Sequence, residues 1–307
     1  MKRILKFTAA IVIVVALNCS SLVFAQSLTF ARIAGWNQQG VEFDNQGTAQ
    51  PVHKPDQLRA AIAALNPDVI VLSEVNSKES MEEIIATPFA NGATYKLSMD
   101  DDQPTVQKIA VLFKDHPDIS VSNRRAVPGS DDNQPDRLRK AWAFDVKIRN
   151  FDFLLIGVHL KSGRGNQERQ TRNRQTKAIA RFIKHETDTT NERDVLVIGD
   201  YNMIPGQDAQ NFSNLSPGPA SNEFLRFISS GLTPPSHIGK CVNGKPTGNL
   251  LDGVSISRAH TPEWTGFIRI AQLQNTLPNM GCTKYFHTVS DHLPLVARFR
   301  VSKPDDD

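Results

Sequence analysis

The sequence has few of the residues that mark specialised protein classes. Among 307 residues there are only 3 Cys, 18 Gly and 18 Pro, and aromatic residues make up 7%. These counts exclude a disulfide-dense scaffold and a collagen-like chain. No glycine-serine or proline-rich linker and no internal repeat divides the chain. With 39% hydrophobic and 22% charged residues, it is too apolar for a disordered protein, so we expect a globular one.

The first 25 residues have the pattern of a secretory signal peptide. Lys2, Arg3 and Lys6 precede an apolar stretch over residues 9–17, and small residues stand at positions 23 and 25. An uncleaved membrane anchor is the alternative, but the apolar stretch is shorter than the roughly 20 residues that span a bilayer. We therefore predict cleavage near Ala25, a secreted or periplasmic protein with no transmembrane segment, and one domain over residues 26–307.

The formal net charge of +3 depends entirely on this leader. Without its three basic residues, 32 Lys and Arg balance 32 Asp and Glu. Cleavage also removes one cysteine and leaves Cys241 and Cys282, which in an oxidising compartment favours a disulfide. Such a bond would stabilise the fold by roughly 4 kcal/mol. Two free buried thiols are the alternative.

Apolar runs rich in Val, Ile, Leu and Phe predict strands along the whole mature chain. They cover residues 29–36, 68–75, 108–113, 140–148, 151–160, 194–199, 250–257 and 295–301. Helical spacing predicts helices over residues 56–65, 80–86 and 167–184. The runs on either side of Arg149-Asn150 indicate an antiparallel hairpin, which disfavours a simple alternating parallel fold. We expect two packed sheets covered by helices. Residues 115–136 show no pattern that we can assign.

Polar side chains end or interrupt the apolar runs at six places. They are Asn37, Glu74, His159, the pair Asp200 and Asn202, Asp252, and the pair Asp291 and His292. Taken singly, each is more often a turn former, a helix cap or a structural histidine. Together in a core they would be costly without partners, whereas strand ends that face a shared cleft explain all of them.

The chemistry of this set indicates hydrolysis at phosphorus. Carboxylate and amide oxygens without cysteine or a closely spaced histidine pair suit Mg²⁺, Mn²⁺ or Ca²⁺ rather than a structural zinc. Histidines add groups that exchange protons near neutral pH. A hard cation polarises a phosphoryl oxygen and helps to activate water.

Six motifs carry a resemblance to a known family. RIAGWN, NPDVIVLSEV, FLLIGVHLKSG, VLVIGDYN, LLDGVSIS and VSDHLPL occur in an order that resembles the endonuclease/exonuclease/phosphatase superfamily, the deoxyribonuclease I-like and exonuclease III-like enzymes. The resemblance implies an α/β fold, a four-layer αββα sandwich of two mixed, mainly antiparallel sheets flanked by helices. It also implies a phosphohydrolase that depends on a divalent metal, with Mg²⁺ expected and Mn²⁺ or Ca²⁺ as alternatives.

The same resemblance implies a role for each polar residue. Asn37, Glu74 and Asp291 match the metal site, with Glu74 in direct contact. Asp200 and Asn202 match the pair that positions water and contacts phosphate. His292 matches the histidine beside the scissile phosphate, Asp252 matches the acid that orients it, and His159 matches a second phosphate-side histidine, a candidate general acid.

Charge placement favours nucleic acid, with DNA first, as the substrate. Eight basic residues and one acid, Glu168, lie between His159 and residue 184, and the basic ones are Lys161, Arg164, Arg169, Arg172, Arg174, Lys177, Arg181 and Lys184. This stripe fits a polyanion track, and a solvated helix face is the alternative. Lys161 and Arg164, in the loop after HLKSG, are the expected substrate contacts.

Other functions remain open from the sequence. A lipid hydrolase like the sphingomyelinases, or a small phosphoester hydrolase, is the second candidate, because Trp264 and Phe267 could tip a membrane-binding hairpin. Packing in the protein is the simpler interpretation of two aromatic residues. A non-catalytic binding protein on the same fold is less favoured, since every acid and both histidines are present. No stable protein partner is implied, and we expect a monomer.

Overall fold

The computed structural model describes residues 28–305, apart from residues 47, 100–103, 136, 217–223, 230 and 234. The signal peptide predicted over residues 1–25 lies outside the described residues. Within the described part of the chain, no helix is both long enough and apolar enough to cross a membrane.

Strands dominate the described part of the chain. In chain order the elements are β1 (Phe30–Asn37), β2 (Val41–Phe43), β3 (Ala49–Pro51), α1 (Pro55–Leu65), β4 (Val69–Val75), α2 (Lys78–Ile85), β5 (Tyr95–Met99), β6 (Lys108–Lys114), β7 (Ile119–Ala126), β8 (Trp142–Ile148), β9 (Phe151–His159), α3 (Asn166–Thr189), β10 (Val195–Asp200), α4 (Ala209–Asn214), β11 (Arg226–Phe227), β12 (His237–Val242), β13 (Lys245–Asn249), β14 (Asp252–Ile256), β15 (Trp264–Ile270), α5 (Leu273–Thr276), α6 (Gly281–Thr288) and β16 (Leu295–Arg300).

Two six-stranded mixed sheets form the body of the molecule. Their strand orders are β15-β16-β1-β4-β6-β5 and β11-β14-β10-β9-β8-β7. Each sheet has one parallel pair, β1 with β4 and β9 with β10, and its other neighbours are antiparallel. The predicted hairpin is confirmed, since Ile148 pairs with Phe151. The two sheets with their helices confirm the expected αββα sandwich.

The parallel pairs of the two sheets face each other across the core. Strand β1 packs on β10 and strand β4 packs on β9. The core between the sheets is apolar and fully buried, with Ile33 and Val71 from one sheet and Leu155 and Ile198 from the other. Parallel strands end at the same edge of their own sheet, and the hydrogen bond from Asn37 at the end of β1 to Asp200 at the end of β10 shows that the carboxyl ends of the two pairs meet.

Helices close both outer faces of the sandwich. In α1 the buried residues are Leu58, Ala61, Ile62 and Leu65, an amphipathic spacing that matches the prediction. In α3, Ile179 and Ile183 join a second apolar cluster on the outer face of β9 and β10. A disulfide joins Cys241 to Cys282, with Cα atoms 5.9 Å apart, so the predicted pairing is confirmed.

The segment without an assignable pattern, residues 115–136, contains the edge strand β7. Its outward residues are largely exposed, and its register with β8 shifts between Ser122 and Arg125 around Asn123, which has a φ of 47°. This bulge breaks the two-residue alternation by which a strand is recognised in a sequence.

Asp194 is a buried acid at the start of β10, at the end opposite Asp200. Burial raises its pKa from 3.8 to about 9, and Glu263 adds to the shift. The folded protein therefore holds a proton that the unfolded chain releases above about pH 4, and stability falls as pH rises toward 9. We predict that Asp194→Asn stabilises the fold by up to about 4 kcal/mol more at pH 8 than at pH 5.

Urea unfolding at pH 5 and pH 8 measures this difference. Asp188→Asn is the control, because Asp188 is 55% exposed and pairs with Lys184 on the surface of α3. A stabilisation by Asp194→Asn that is equal at the two pH values contradicts the prediction.

Candidate active site

Strand geometry brings the predicted site residues together. Asn37 and Asp200 are the last residues of β1 and β10, and His159 is the last residue of β9. Glu74 is the penultimate residue of β4. Since these four strands end at one edge of the sandwich, their polar side chains meet there, and the buried remainder of each strand holds them in place.

Asp200 lies at the centre of this cluster and is buried. Its Oδ2 accepts a hydrogen bond from Asn37 Nδ2 at 3.1 Å, and it lies 3.6 Å from His159 Nε2 and 3.9 Å from His292 Nε2. Its Oδ1 accepts the backbone N–H of Asn202 at 2.8 Å. Burial raises the pKa of Asp200 to about 7, with His292 opposing the shift. A carboxyl with a pKa near neutral can exchange a proton with water.

Glu74 reaches the cluster through an unusual backbone conformation. Its φ is 59°, and the register between β4 and β6 shifts between Leu72 and Val75. A left-handed residue at a bulge is typical of positions where the fold redirects a functional side chain. Here it places Glu74 Oε1 2.9 Å from Asn37 Nδ2, which donates a hydrogen bond, and 3.6 Å from His159 Nε2.

The donors expected to hold a metal fit a hard dication. Burial raises the pKa of Glu74, the hydrogen bond from Asn37 lowers it, and the charge of Asp291 raises it again. Asp291 is held nearby, because Ser290 Oγ donates to the Asn37 carbonyl at 2.7 Å and the Asp291 N–H donates to Gln39 Oε1 at 3.1 Å. A divalent cation would stabilise these two carboxylates, which repel each other. Asn37 directs its Nδ2 to Glu74 and to Asp200, and its Oδ1 accepts the Gln39 N–H at 3.1 Å.

His292 is paired with Asp252 inside the protein. Its Nδ1 lies 2.7 Å from Asp252 Oδ2, and both side chains are at most 5% exposed. The carbonyl of His292 accepts hydrogen bonds from Trp36 Nε1 and from the hydroxyl of Tyr285. Burial acts to lower the pKa of His292, but Asp252 and then Asp200 raise it well above 6.5. The ring is therefore positively charged at neutral pH and its Nε2–H faces Asp200.

His159 has the opposite electrostatic environment. Burial, then the charges of Arg139 and His292, lower its pKa well below 6.5. Its ring is therefore neutral near pH 7, whereas His292 is charged. The role of general acid for His159 stays a prediction, and the charged state of His292 makes that residue the better proton donor.

Arg139 is a site residue that sequence reasoning missed. It lies in the segment before β8, and its Nη2 donates to the Leu160 carbonyl at 3.1 Å. Its Nε is buried and has no hydrogen-bond partner, and its charge acts on Glu74 and Asp200. In the sequence it stands beside Arg137 and Lys140 in RLRK, and nothing in that run distinguishes the one residue that faces the cleft.

The basic stripe is not one continuous track. Buried Arg172 donates to Asp208 Oδ1 at 2.9 Å, Arg174 forms two hydrogen bonds with Asp132, and Lys184 pairs with Asp188. The backbone of Lys161 is fixed, as its N–H donates to Gln175 and its carbonyl accepts from Arg172.

Three basic residues line the cavity beside the cluster, Arg164 in the loop after β9 and Arg169 and Arg172 in α3. The cavity has a volume of about 210 Å³, and Asn202 and His237 also border it. The structure therefore limits the polyanion-track hypothesis to the loop after β9 and the first turns of α3.

The hairpin-tip interpretation of Trp264 and Phe267 is wrong. Both lie within β15, where Trp264 packs on Phe299 with ring centroids 5.3 Å apart. Phe267 pairs in register with Arg298, toward the end of the sheet where β1 begins rather than where it ends at Asn37. The sheet pairing of β15 with β16 holds these aromatics and leaves no hairpin tip for them to form.

Comparisons with known proteins agree with this geometry. The fold and the cluster of acids and histidines define a phosphoester hydrolase of the αββα type. The model of the Endonuclease/Exonuclease/phosphatase family matches residues 34–270, and the chain belongs to that family. No curated protein sequence matches the chain.

Solved structures with the same fold include three relatives at low identity. Truncated TDP2 of Caenorhabditis elegans has a TM-score of 0.59 at 13% identity, covering 88% of this chain and 97% of its own. TDP2 of D. rerio complexed with single strand DNA product has a TM-score of 0.58 at 15% identity, covering 89% and 99%. The human Nocturnin catalytic domain with bound sulfate anion has a TM-score of 0.57 at 16% identity, covering 88% and 94%.

Proposed function

We propose that this protein is an exported phosphodiesterase that depends on a divalent metal and hydrolyses DNA. The observation that carries the proposal is the position of Asp200, which lies between the Asn37 and Glu74 side of the cleft and the charged His292. Metal donors, a carboxylate with a pKa near neutral and an imidazolium thus surround one small volume. These groups together can catalyse phosphodiester hydrolysis.

The metal would be held by Asn37, Glu74 and Asp291, with Mg²⁺ proposed first and Mn²⁺ or Ca²⁺ as alternatives. When bound it supplies charge stabilisation of the phosphoryl oxygens. Asp200 accepts the proton of the attacking water, and Asn202 offers its side-chain amide to the phosphate side of the cleft. As the water oxygen bonds to phosphorus, the P–O bond to the leaving oxygen breaks, and His292, held by Asp252, donates its Nε2 proton to that leaving oxygen.

Arg164 and the comparison with D. rerio TDP2 support nucleic acid as the substrate. That relative was solved with a single strand DNA product. In this chain Arg164 and Asn202 line the same cavity beside the catalytic cluster, so a backbone phosphate next to the scissile one would meet a positive charge.

A panel of substrates tests the proposal. The purified protein is incubated with plasmid DNA, RNA, sphingomyelin and bis-p-nitrophenyl phosphate, with Mg²⁺, Mn²⁺ or Ca²⁺ and with a chelator. We expect DNA cleavage that the chelator abolishes and that Asp200→Asn lacks. Intact substrates throughout, or cleavage that ignores the chelator, would falsify the proposal. Preferential cleavage of sphingomyelin or the small ester would assign the enzyme to the lipid or small phosphoester alternative.

Arg139 provides a sharper test of how the cleft binds phosphate. We predict that Arg139→Ala lowers kcat/KM for DNA by about 100-fold, because its buried Nε–H is available to an anionic oxygen and the guanidinium balances Glu74 and Asp200. Arg137→Ala, two residues away and exposed, is the matched control. The prediction is wrong if the two variants have the same kcat/KM.

A further inference from the structure

A two-stranded hairpin outside the main sheets forms part of the cleft. Strands β12 and β13 form a separate two-stranded sheet, and β12 begins with His237, which also forms an isolated antiparallel bridge with His292. Two backbone hydrogen bonds join the hairpin to the segment that contains Asp291 and His292. The Ile238 N–H donates to the Asp291 carbonyl at 2.6 Å, and the Leu293 N–H donates to the Ser236 carbonyl at 2.7 Å.

The disulfide holds the same hairpin from a second side. Cys241 lies in β12, and Cys282 lies in α6, the helix that leads into Ser290, Asp291 and His292. Hydrogen bonds at one end of β12 and a covalent bond near the other therefore fix the position of His237 relative to His292. None of the roles assigned above to the site residues involves this disulfide.

The result is a compact group of two imidazoles and one carboxylate. His237 Nε2 lies 3.7 Å from Asp291 Oδ2, and the rings of His237 and His292 have centroids 4.9 Å apart. One ligand atom from each of the three residues lies within 4.8 Å of the other two. His237 and Asp291 are partly exposed, so the group opens toward solvent.

The contact with Asp252 orients the His292 ring in the way that is usual for a metal-bound imidazole. A metal-bound imidazole usually directs its other nitrogen to a carboxylate, which fixes the ring and raises its basicity. Here Nδ1 of His292 contacts Asp252 at 2.7 Å, and this leaves Nε2 directed into the cleft.

We infer that His237, Asp291 and His292 form a binding site for a transition-metal dication such as Zn²⁺. Two nitrogen ligands and one carboxylate, with a fourth position open to solvent, match the preferences of Zn²⁺ and not those of Mg²⁺. The site is distinct from the oxygen donors Asn37 and Glu74, but it shares Asp291 with them.

Zinc at this site would block the proposed reaction. Zn²⁺ would displace the Nε2 proton of His292 to solvent, so the ring would have no proton there to donate, and Asp291 cannot serve both cations fully. Zn²⁺ should therefore inhibit the enzyme in the presence of excess Mg²⁺. This consequence rests on the proposed function, whereas the binding of zinc does not.

Zinc binding is measured first, without any substrate. The full protein is freed of metal with a chelator and titrated with Zn²⁺ in millimolar Mg²⁺ against a chromogenic zinc indicator. We expect one equivalent to bind, with an affinity at least tenfold weaker in His237→Ala and in His237→Gln. His287→Ala, which removes an exposed histidine of α6, should keep the wild-type affinity. Circular dichroism and thermal melts confirm that each variant is folded.

Inhibition is measured second, on DNA or on bis-p-nitrophenyl phosphate. We expect the zinc concentration that halves activity to rise at least tenfold in His237→Gln. Equal zinc affinity in wild type and both His237 variants, or no zinc bound in excess Mg²⁺, overturns the inference even if hydrolysis is observed. If zinc binds tightly and needs His237, but no substrate is hydrolysed, the zinc site is supported and the proposed function is contradicted.

Discussion

Asp252→Asn should lower kcat/KM for phosphodiester hydrolysis by about 100- to 1,000-fold while leaving the protein folded. Asp252 is the first residue of β14 and pairs in register with Asp200, so its position depends on the sheet and not on its charge. What the substitution removes is the carboxylate that contacts Nδ1 of His292 at 2.7 Å. An amide can present its N–H to the ring and favour the wrong tautomer, which costs both orientation and proton donation.

The pH dependence separates this role from a structural one. Asp252 opposes the effect of burial on the pKa of His292, so its loss lowers that pKa. Because His292 is the proposed proton donor, activity should fall as pH rises through its pKa, and in Asp252→Asn this alkaline limb should move to lower pH. Asp152→Asn, a half-exposed acid on β9 that pairs with Lys147, is the control. An unchanged alkaline limb in Asp252→Asn, whatever the loss of rate, contradicts the assigned role.

The sequence predicts the interior of this fold well because periodicity and strand geometry determine it. Strands that are buried on both faces, such as β9 and β10, are continuous apolar runs, and polar residues at their ends stand out against them. Once β9 and β10 pair in parallel, His159 and Asp200 lie opposite each other in register, and no further information is needed to place them together.

Residues placed by loops could not be predicted in this way. Arg139 precedes a strand in a basic run, and His237 belongs to a hairpin whose residues are mostly polar and partly exposed. Their positions in the cleft depend on tertiary hydrogen bonds and on the disulfide, none of which leaves a periodic signal. Glu74 is an intermediate case, since its motif is visible in the sequence but the left-handed φ that directs its side chain is not.

The basic stripe shows that the role of a charged residue could not be predicted from the sequence either. A count of Arg and Lys treats Arg172 and Arg174 alike, although they lie two residues apart on α3 and point to different environments. The side chain of Arg172 is 2% exposed beside Asp208, which is 4% exposed, whereas that of Arg174 is 52% exposed beside Asp132. Only the fold distinguishes a charge that supports the structure from one that meets solvent.

We expect Arg172→Ala to destabilise the protein by about 3–5 kcal/mol and Arg174→Ala by about 1 kcal/mol or less. Removal of Arg172 leaves Asp208 as a buried carboxylate without its cation. It also removes two hydrogen bonds of 2.8 Å from Nη1 to the carbonyls of Lys161 and Gly163, which hold the loop that carries Arg164. Urea unfolding of the two variants measures the difference.

A second measurement tests whether Arg172 also supports the substrate loop. Arg172→Ala with Asp208→Asn should recover part of the lost stability, because the unpaired charge is gone, yet the loop would still lack its two hydrogen bonds. KM for DNA should therefore stay raised in the double variant, while its free energy of unfolding is higher than that of Arg172→Ala. If Arg172→Ala and Arg174→Ala differ by less than about 1 kcal/mol, Arg172 is not the buried anchor that its contacts describe. If KM recovers together with stability, the loop is held by other contacts, and Arg164 does not depend on Arg172 for its position.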